Sequence, residues 1–158
     1  MDCDTARSTM LKILIPGKPQ SKQGGMQATV IARDGRRISM RYQPAAVRNY
    51  SAFVSLCARE AMQGRPPSAG PIRRVLALHV AKPKSWSKKR RARHEWALVR
   101  PDVLNISKTV DDALEGICYL DDKQIVEATE SKFYDEHDAV VVTIETLDGE
   151  DHAWRLEV

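Results

Sequence analysis

Three acids, an amide and a lysine carry most of the chemistry legible in this sequence. Asp102 follows Arg100-Pro101, Asn105 and Lys108 follow Asp102, and the acidic pair Asp121-Asp122 comes after one further short segment. Two or three carboxylates drawn from different elements give a hard cation such as Mg²⁺ the oxygen ligands it requires, with waters completing the octahedron. A cation held there beside a phosphodiester would polarise a phosphoryl oxygen, lower the pKa of a bound water and stabilise the departing 3′-oxygen. Lys108, one helical turn beyond Asn105, would neutralise charge developing on the phosphorane or help hold the water.

Just upstream, Lys82 to Arg93 contains seven cations and no acid. Such a run gains affinity for a polyanion by releasing counterions from phosphates. Trp86 stands among the cations and would stack on an unpaired base, although a tryptophan is more often a packing anchor. Lys84, Lys88, Lys89, Arg90, Arg91 and Arg93 are the candidate phosphate contacts, joined by Lys18 and Lys22 in an earlier polar loop. Spacing leaves a second reading open for each feature. Asp102 would cap a helix, Asp121-Asp122 would form a turn, Lys108 would pair with Asp112 four residues on, and the basic run would be a solvated face.

The elements that must position these residues follow from periodicity and turn chemistry. Leu11 to Ile15 reads as a strand stopped by Pro16-Gly17. Met26 to Ile31 and Arg37 to Arg41 flank Asp34-Gly35, a hairpin signal. From Pro44 to Gly64, Val47, Tyr50, Val54, Cys57, Ala58 and Ala61 form one apolar helical stripe. Ile72 to Val80 reads as a buried strand, and Ser87 caps a short helix over Lys88 to Trp96. The residue before Pro101 is driven to extended geometry, which breaks that helix. Asn105 then caps a helix over Ile106 to Glu115, ended by Gly116. Lys123 to Phe133 and Ala139 to Leu147 read as an antiparallel pair of strands joined by a polar loop. Both ends of the helix between Asp102 and Asp121-Asp122 are expected to return to one edge of the sheet. The fold class is α+β, a single domain over residues 11–158 with helices on a mixed, largely antiparallel sheet, after a loose tail of residues 1–10.

Composition agrees with this frame. A chain of 158 residues, 42% hydrophobic and 29% charged, builds one core without staples. Its net charge of +4 permits contact with a polyanion without demanding it. Cys3, Cys57 and Cys118 lack ligand spacing and are odd in number, so Cys57 and Cys118 read as buried thiols of a reducing compartment. His79, His94, His137 and His152 form no ligand pattern. No apolar run reaches membrane-spanning length and the first residues lack a signal-peptide core, so a soluble cytoplasmic protein is expected.

Taken in order, Ile15-Pro-Gly-Lys-Pro, Pro83-Lys-Ser-Trp-Ser-Lys-Lys-Arg90, Pro101-Asp-Val-Leu-Asn-Ile-Ser-Lys108, Asp112-Ala-Leu-Glu-Gly116 and Asp121-Asp-Lys-Gln-Ile-Val126 resemble the RusA-type Holliday-junction resolvases, from about Ile13 to Leu147. The resemblance implies a homodimeric, Mg²⁺-dependent endonuclease, with Mn²⁺ as a substitute. It would resolve four-way DNA junctions by paired symmetric nicks in DNA recombination and repair, with no membrane and no small-molecule cofactor. It also implies a bacterial host cell and a phage or prophage origin. The family's metal-binding acids map onto Asp102 and Asp122, with Asp121 as a supporting acid, and its catalytic lysine maps onto Lys108. Asn105 would hold the loop. A two-fold dimer presents two identical sites to a junction that is itself nearly two-fold symmetric. The pattern Pro-Asp-x-Asp-Asn is broken here, because Leu104 stands where the family carries a further metal-binding Asp. Either other carboxylates (Asp121, Asp112 or Glu127) and waters complete the shell, or the chain binds junctions with weakened or lost cleavage. Gln23-Gly24-Gly25 likewise replaces a basic run in the first loop.

Overall fold

The computed structural model describes residues 10–22 and 26–147. The expected tail, apart from Met10, therefore lies outside the described residues, as do Cys3, Gln23-Gly24-Gly25, His152 and everything after Leu147. Strand β1 (Met10–Pro16) is followed by the hairpin strands β2 (Met26–Ile31) and β3 (Arg37–Tyr42), helix α1 (Ala45–Met62) and strand β4 (Ile72–Ala81). Then come the single-turn helix α2 (Lys88–Arg91), helix α3 (Val103–Leu114), a 3-10 turn (Asp122–Gln124) and strands β5 (Ile125–Asp135) and β6 (Ala139–Thr146).

A four-stranded sheet has the order β1-β6-β4-β5, antiparallel except for the β4–β5 pair. This bears out a mixed, largely antiparallel sheet in an α+β fold. The pairing expected between β5 and β6 is corrected, because β4 lies between them. The short link at Glu136–Asp138 crosses the end of β4 instead of closing a hairpin. It is tied there by the Lys82 N–H to the Asp135 carbonyl (2.8 Å) and the Ala81 N–H to Asp138 Oδ1 (2.9 Å).

Alternation within the strands decides which face is covered. Leu11, Ile13 and Ile15 of β1, Leu76 and Leu78 of β4, and Val140, Val142 and Ile144 of β6 point to one side. There they form the core with Val54 and Ala58 of α1 and Ile106, Val110 and Leu114 of α3. Helix α1 follows its apolar stripe and ends where Gln63 turns left-handed (φ 50°), one residue before the expected Gly64. Gly116 (φ 73°) turns the chain after α3, where a side chain would be strained. Cys118 is buried as expected, whereas Cys57 is half-buried. The expected hairpin β2–β3 forms, with Val30 opposite Ile38, but its loop has three residues, Arg33, Asp34 and Gly35, closed by the Ala32 N–H on the Arg36 carbonyl (2.9 Å), and not the two of a tight Asp34-Gly35 turn.

Candidate active site

The segment leading to Asp102 is fastened to the outer edge of β5. The Tyr134 N–H donates to the Glu95 carbonyl (2.9 Å) and the Ala97 N–H to the Lys132 carbonyl (3.1 Å). This docking corrects the expected helix over Lys88 to Trp96. After one turn at Lys88–Arg91, Trp96 leaves it to bridge Phe133. Further on, Lys132 Nζ donates to the carbonyls of Val99 (2.6 Å) and Pro101 (2.9 Å). The backbone on both sides of the cis Arg100–Pro101 bond is thereby held.

Asp102 is the N-cap of α3, a correction to the expected cap at Asn105. Its extended backbone leaves Oδ1 free to accept the Leu104 N–H at 3.2 Å, and a carboxylate there is favoured by the helix dipole. The helix thus begins a turn earlier than its apolar stripe indicates, and Asn105 Nδ2 reaches Asp102 Oδ2 at 3.5 Å. Asp102, Leu104 and Lys108 all face solvent. Lys108 makes no ion pair among the described residues. Its alternative partner Asp112 is taken by Lys22, whose Nζ forms a short ion pair with Asp112 Oδ2 and whose N–H donates to Thr109 Oγ1 (3.0 Å).

At the other end of α3, Gln124 organises the turn that carries the acidic pair. Its Nε2 donates to the carbonyls of Ser68 (2.9 Å) and Gly70 (2.8 Å), and its Oε1 accepts the N–H groups of Leu120 (2.8 Å) and Asp121 (2.9 Å). Asp121 completes a capping box, accepting the Lys123 N–H (3.1 Å) and pairing with Lys123 Nζ (2.9 Å). The hydrogen bond from Lys123 holds the Asp121 carboxyl below the ordinary carboxylate range. Asp122, the first residue of the 3-10 turn, is exposed.

The expected convergence of Asp102 with Asp121-Asp122 at one sheet edge is corrected. Helix α3 runs back along β5, so Asp102 lies beside Lys132 while Asp122 lies before the start of that strand. The twelve residues of α3 span about 18 Å, and Lys132, which holds Pro101, lies well along β5 from its first residue, Ile125. Among the described residues no three His, Cys, Asp or Glu side chains come together as a metal cluster. One chain by itself therefore does not fit a cation held by Asp102 and Asp122 together. The other candidate ligands are engaged elsewhere, Asp112 with Lys22 and Glu127 with Arg73 (2.9 Å).

Beneath α3 lies a charged cluster that sequence reasoning missed. Arg74 of β4, only 3% exposed, sends Nη2 to Glu130 Oε1 (2.6 Å) and places Nε 3.2 Å from Asp111 Oδ1. Ser107 Oγ reaches both acids, at 3.2 Å for Glu130 and 3.4 Å for Asp111, and the Tyr119 hydroxyl donates to the Asp111 carbonyl (3.0 Å). Burial raises the Asp111 carboxyl from an ordinary 3.8 to about 6, against the opposing pull of Arg74. The available signal was an arginine at an inward position of an apolar strand. Lys132 was also missed, and its role had no sequence signal, because only the fold brings it to Pro101.

The basic segment divides into held and free cations. Arg90 pairs with Glu95 (3.1 Å), Arg91 pairs closely with Glu136, and Lys82 bonds Glu136 (3.1 Å) and the Arg91 carbonyl (2.6 Å). Lys84, Lys88, Lys89 and Arg93 are exposed and make no ion pair among the described residues. Trp86 packs edge-on against Tyr134 (4.7 Å between ring centroids) and is covered by the Arg90 guanidinium at 3.9 Å. Next to Asp102, a cleft of about 450 Å³ is lined by Lys18, Gln20, Ser21, Arg100 and Pro101 among others. A larger cleft of about 620 Å³, which shares Lys18 with it, lies around the His79–Asp135 pair (2.7 Å).

Comparison with known proteins adds two findings. Residues 16–145 match the family described as Endodeoxyribonuclease RusA. The chain is also 35% identical over 152 residues to the Uncharacterized protein YqaN of Bacillus subtilis (strain 168), covering 91% of this chain and 96% of that protein.

Proposed function

The chain belongs to the RusA endodeoxyribonuclease family, and from that premise we propose that it is a Mg²⁺-dependent nuclease, with Mn²⁺ as a substitute, that resolves four-way DNA junctions by paired symmetric nicks. It acts as a homodimer in the cytoplasm of a bacterial host, in recombination and repair, and its origin is a phage or prophage genome. Among the described residues no helix is long and apolar enough to cross a membrane.

One observation carries this reading. Asp102, the N-cap of α3, and Lys108, within the same helix, are both exposed, and the structural partner available to Lys108 is occupied by Lys22. An exposed lysine with no ion-pair partner on the helix that an exposed carboxylate caps suits a phosphodiester, because its charge is free to meet the charge developing in the transition state. Lys132 fixes Asp102 in place from below. Lys18 and Arg100 line the adjoining cleft, while Lys84, Lys88, Lys89 and Arg93 receive the backbone further out. A divalent ion bound by these acids would lower the pKa of an attacking water and stabilise the leaving oxygen. Since Asp102 and Asp122 lie at opposite ends of α3, both acids can serve one centre only when Asp102 comes from one protomer and Asp122 from its partner. A two-fold dimer then holds two equal sites, the number required for paired nicks.

A second reading is favoured by Leu104. It is 63% exposed on the first turn of α3, beside Asp102, and offers no oxygen. In this reading the chain binds junctions without cutting them. A synthetic four-way junction incubated with the protein and Mg²⁺ separates the two. Paired nicks abolished by Asp122→Asn support the nuclease, and tight junction binding without nicks supports the binding module. Equal affinity for junction and linear duplex contradicts both.

A further inference from the structure

We propose that the cleft beside Asp102 receives one unstacked nucleobase of the DNA, next to the scissile phosphate, and that the Gln20 side chain reads its edge. The proposal rests on the nuclease reading above and deepens it, naming the part of the substrate that this cleft takes and the residue that selects it.

Three segments build the cleft: the loop after β1, the start of α1 and the Arg100–Pro101 corner. The loop is anchored on both sides. The Gly17 N–H donates to the Asp138 carbonyl (2.9 Å) and the Lys22 N–H to Thr109 Oγ1 (3.0 Å), so Lys18 to Ser21 run between two fixed points. Pro19, among them, is buried. The corner is fixed as well, since Lys132 Nζ holds the Pro101 carbonyl (2.9 Å). Pro101 is a wall of the cleft and Asp102 is the next residue. A nucleotide in the cleft therefore neighbours a phosphate held at that acid.

The lining suits a base better than a phosphate alone. Pro19, Pro44, Val47 and Pro101 supply apolar surface of the kind against which an unstacked base packs. Gln20 and Ser21 supply the polar groups; both are half-buried, and neither side chain makes a hydrogen bond among the described residues. An amide presents a donor and an acceptor together, which a base edge matches and a phosphate, an acceptor only, does not. Lys18 and Arg100 make no ion pair among the described residues and leave their charge for the flanking phosphates, and no acid lines the cleft. Its volume of about 450 Å³ lies in the range of sites that enclose a small organic ligand, enough for one nucleotide and too little for a stretch of duplex. The larger cleft lacks this match, because Asp135 and Asp138 line it and its His79 is already paired. A branch point is where a base leaves the stack at least cost.

Four-way junctions carrying 2-aminopurine at successive positions around the branch point test the cleft, with Mg²⁺ omitted so that binding is read without cleavage. The fluorescence of that base rises when it leaves the stack. Binding of the full chain is expected to raise it several-fold at one position. Ala46→Trp fills the cleft from an exposed position at the start of α1 and should remove the rise while circular dichroism stays that of the parent. Affinities for junctions carrying each of the four bases at that position should then differ by about tenfold or more, and Gln20→Ala should bring them within about threefold of one another. Lys84→Ala, at a phosphate contact, should weaken all four alike. A parent that binds the junction with no rise at any position, or an Ala46→Trp chain that keeps the rise, overturns the base site but leaves the nuclease reading standing. A rise accompanied by equal parent affinities, or by an unchanged preference in Gln20→Ala, overturns the part given to Gln20. A parent that does not bind the junction overturns both readings.

Discussion

Lys132 Nζ lies 2.9 Å from the carbonyl oxygen of Pro101, so the middle of an edge strand holds the backbone immediately before Asp102. The same ammonium holds the Val99 carbonyl. Replacing it with Lys132→Met keeps the stem and removes both bonds. Charge-assisted hydrogen bonds of this half-buried kind contribute about 1–2 kcal/mol, a loss that urea unfolding would register. Junction cleavage should fall by at least about tenfold, because a misplaced catalytic carboxylate costs rate even when binding persists. Unchanged cleavage at equal stability would mean that the clamp does not set the position of Asp102.

Leu104→Asp restores an oxygen ligand at an exposed position in the first turn of α3, where the helix dipole favours an acid. Stability should change by less than about 1 kcal/mol. The rate of nicking of a four-way junction with Mg²⁺ should rise if the missing ligand limits the reaction. No gain would mean that the site works with Asp102, Asp122 and waters alone.

The buried Asp111 carboxyl gives the fold a pH dependence. Its folded pKa of about 6 exceeds the ordinary 3.8, so between those values the folded chain holds the proton more firmly than the unfolded chain. Stability from this group therefore falls as pH rises from about 4 to about 6 and is level above that. Asp111→Asn should flatten the decline across this window in urea titrations at each pH. A variant with the parent's slope there would show that another group carries it.

Free and held cations should differ in their effect on junction binding. Lys88→Ala combined with Lys89→Ala should lower the dependence of log affinity on log salt by up to about 0.9 for each phosphate no longer neutralised. Arg91→Ala, whose guanidinium is already paired with Glu136, should change the slope less. Equal slopes for all three chains would place the DNA away from this segment.

The elements of this fold were largely legible from local pattern. The β1 alternation, the α1 stripe and the Asp34-Gly35 turn each act over a few residues, and each places its element correctly, although the turn closes over three residues and not two. Legibility failed where a long-range contact chose between local options. Asn105 had the composition of a cap, but Lys132 holds the chain so that Asp102 caps instead. β5 and β6 looked like a hairpin, because nothing local reveals β4 between them. The acids were identifiable by type and spacing, whereas their separation depends on α3 running back along β5. Arg74 was visible as a charge in an apolar strand, yet its partners Asp111 and Glu130 come from two distant segments.

The central claim is that each active centre takes Asp102 from one protomer and Asp122 from its partner. It is tested most directly by mixing two inactive variants, Asp102→Asn and Asp122→Asn, after conditions that exchange subunits. A mixed dimer then holds one centre with both acids intact and one with neither. Each variant alone is expected to be inactive, while the mixture nicks one strand of a four-way junction. A mixture that forms mixed dimers, binds the junction and still makes no nick would contradict the claim.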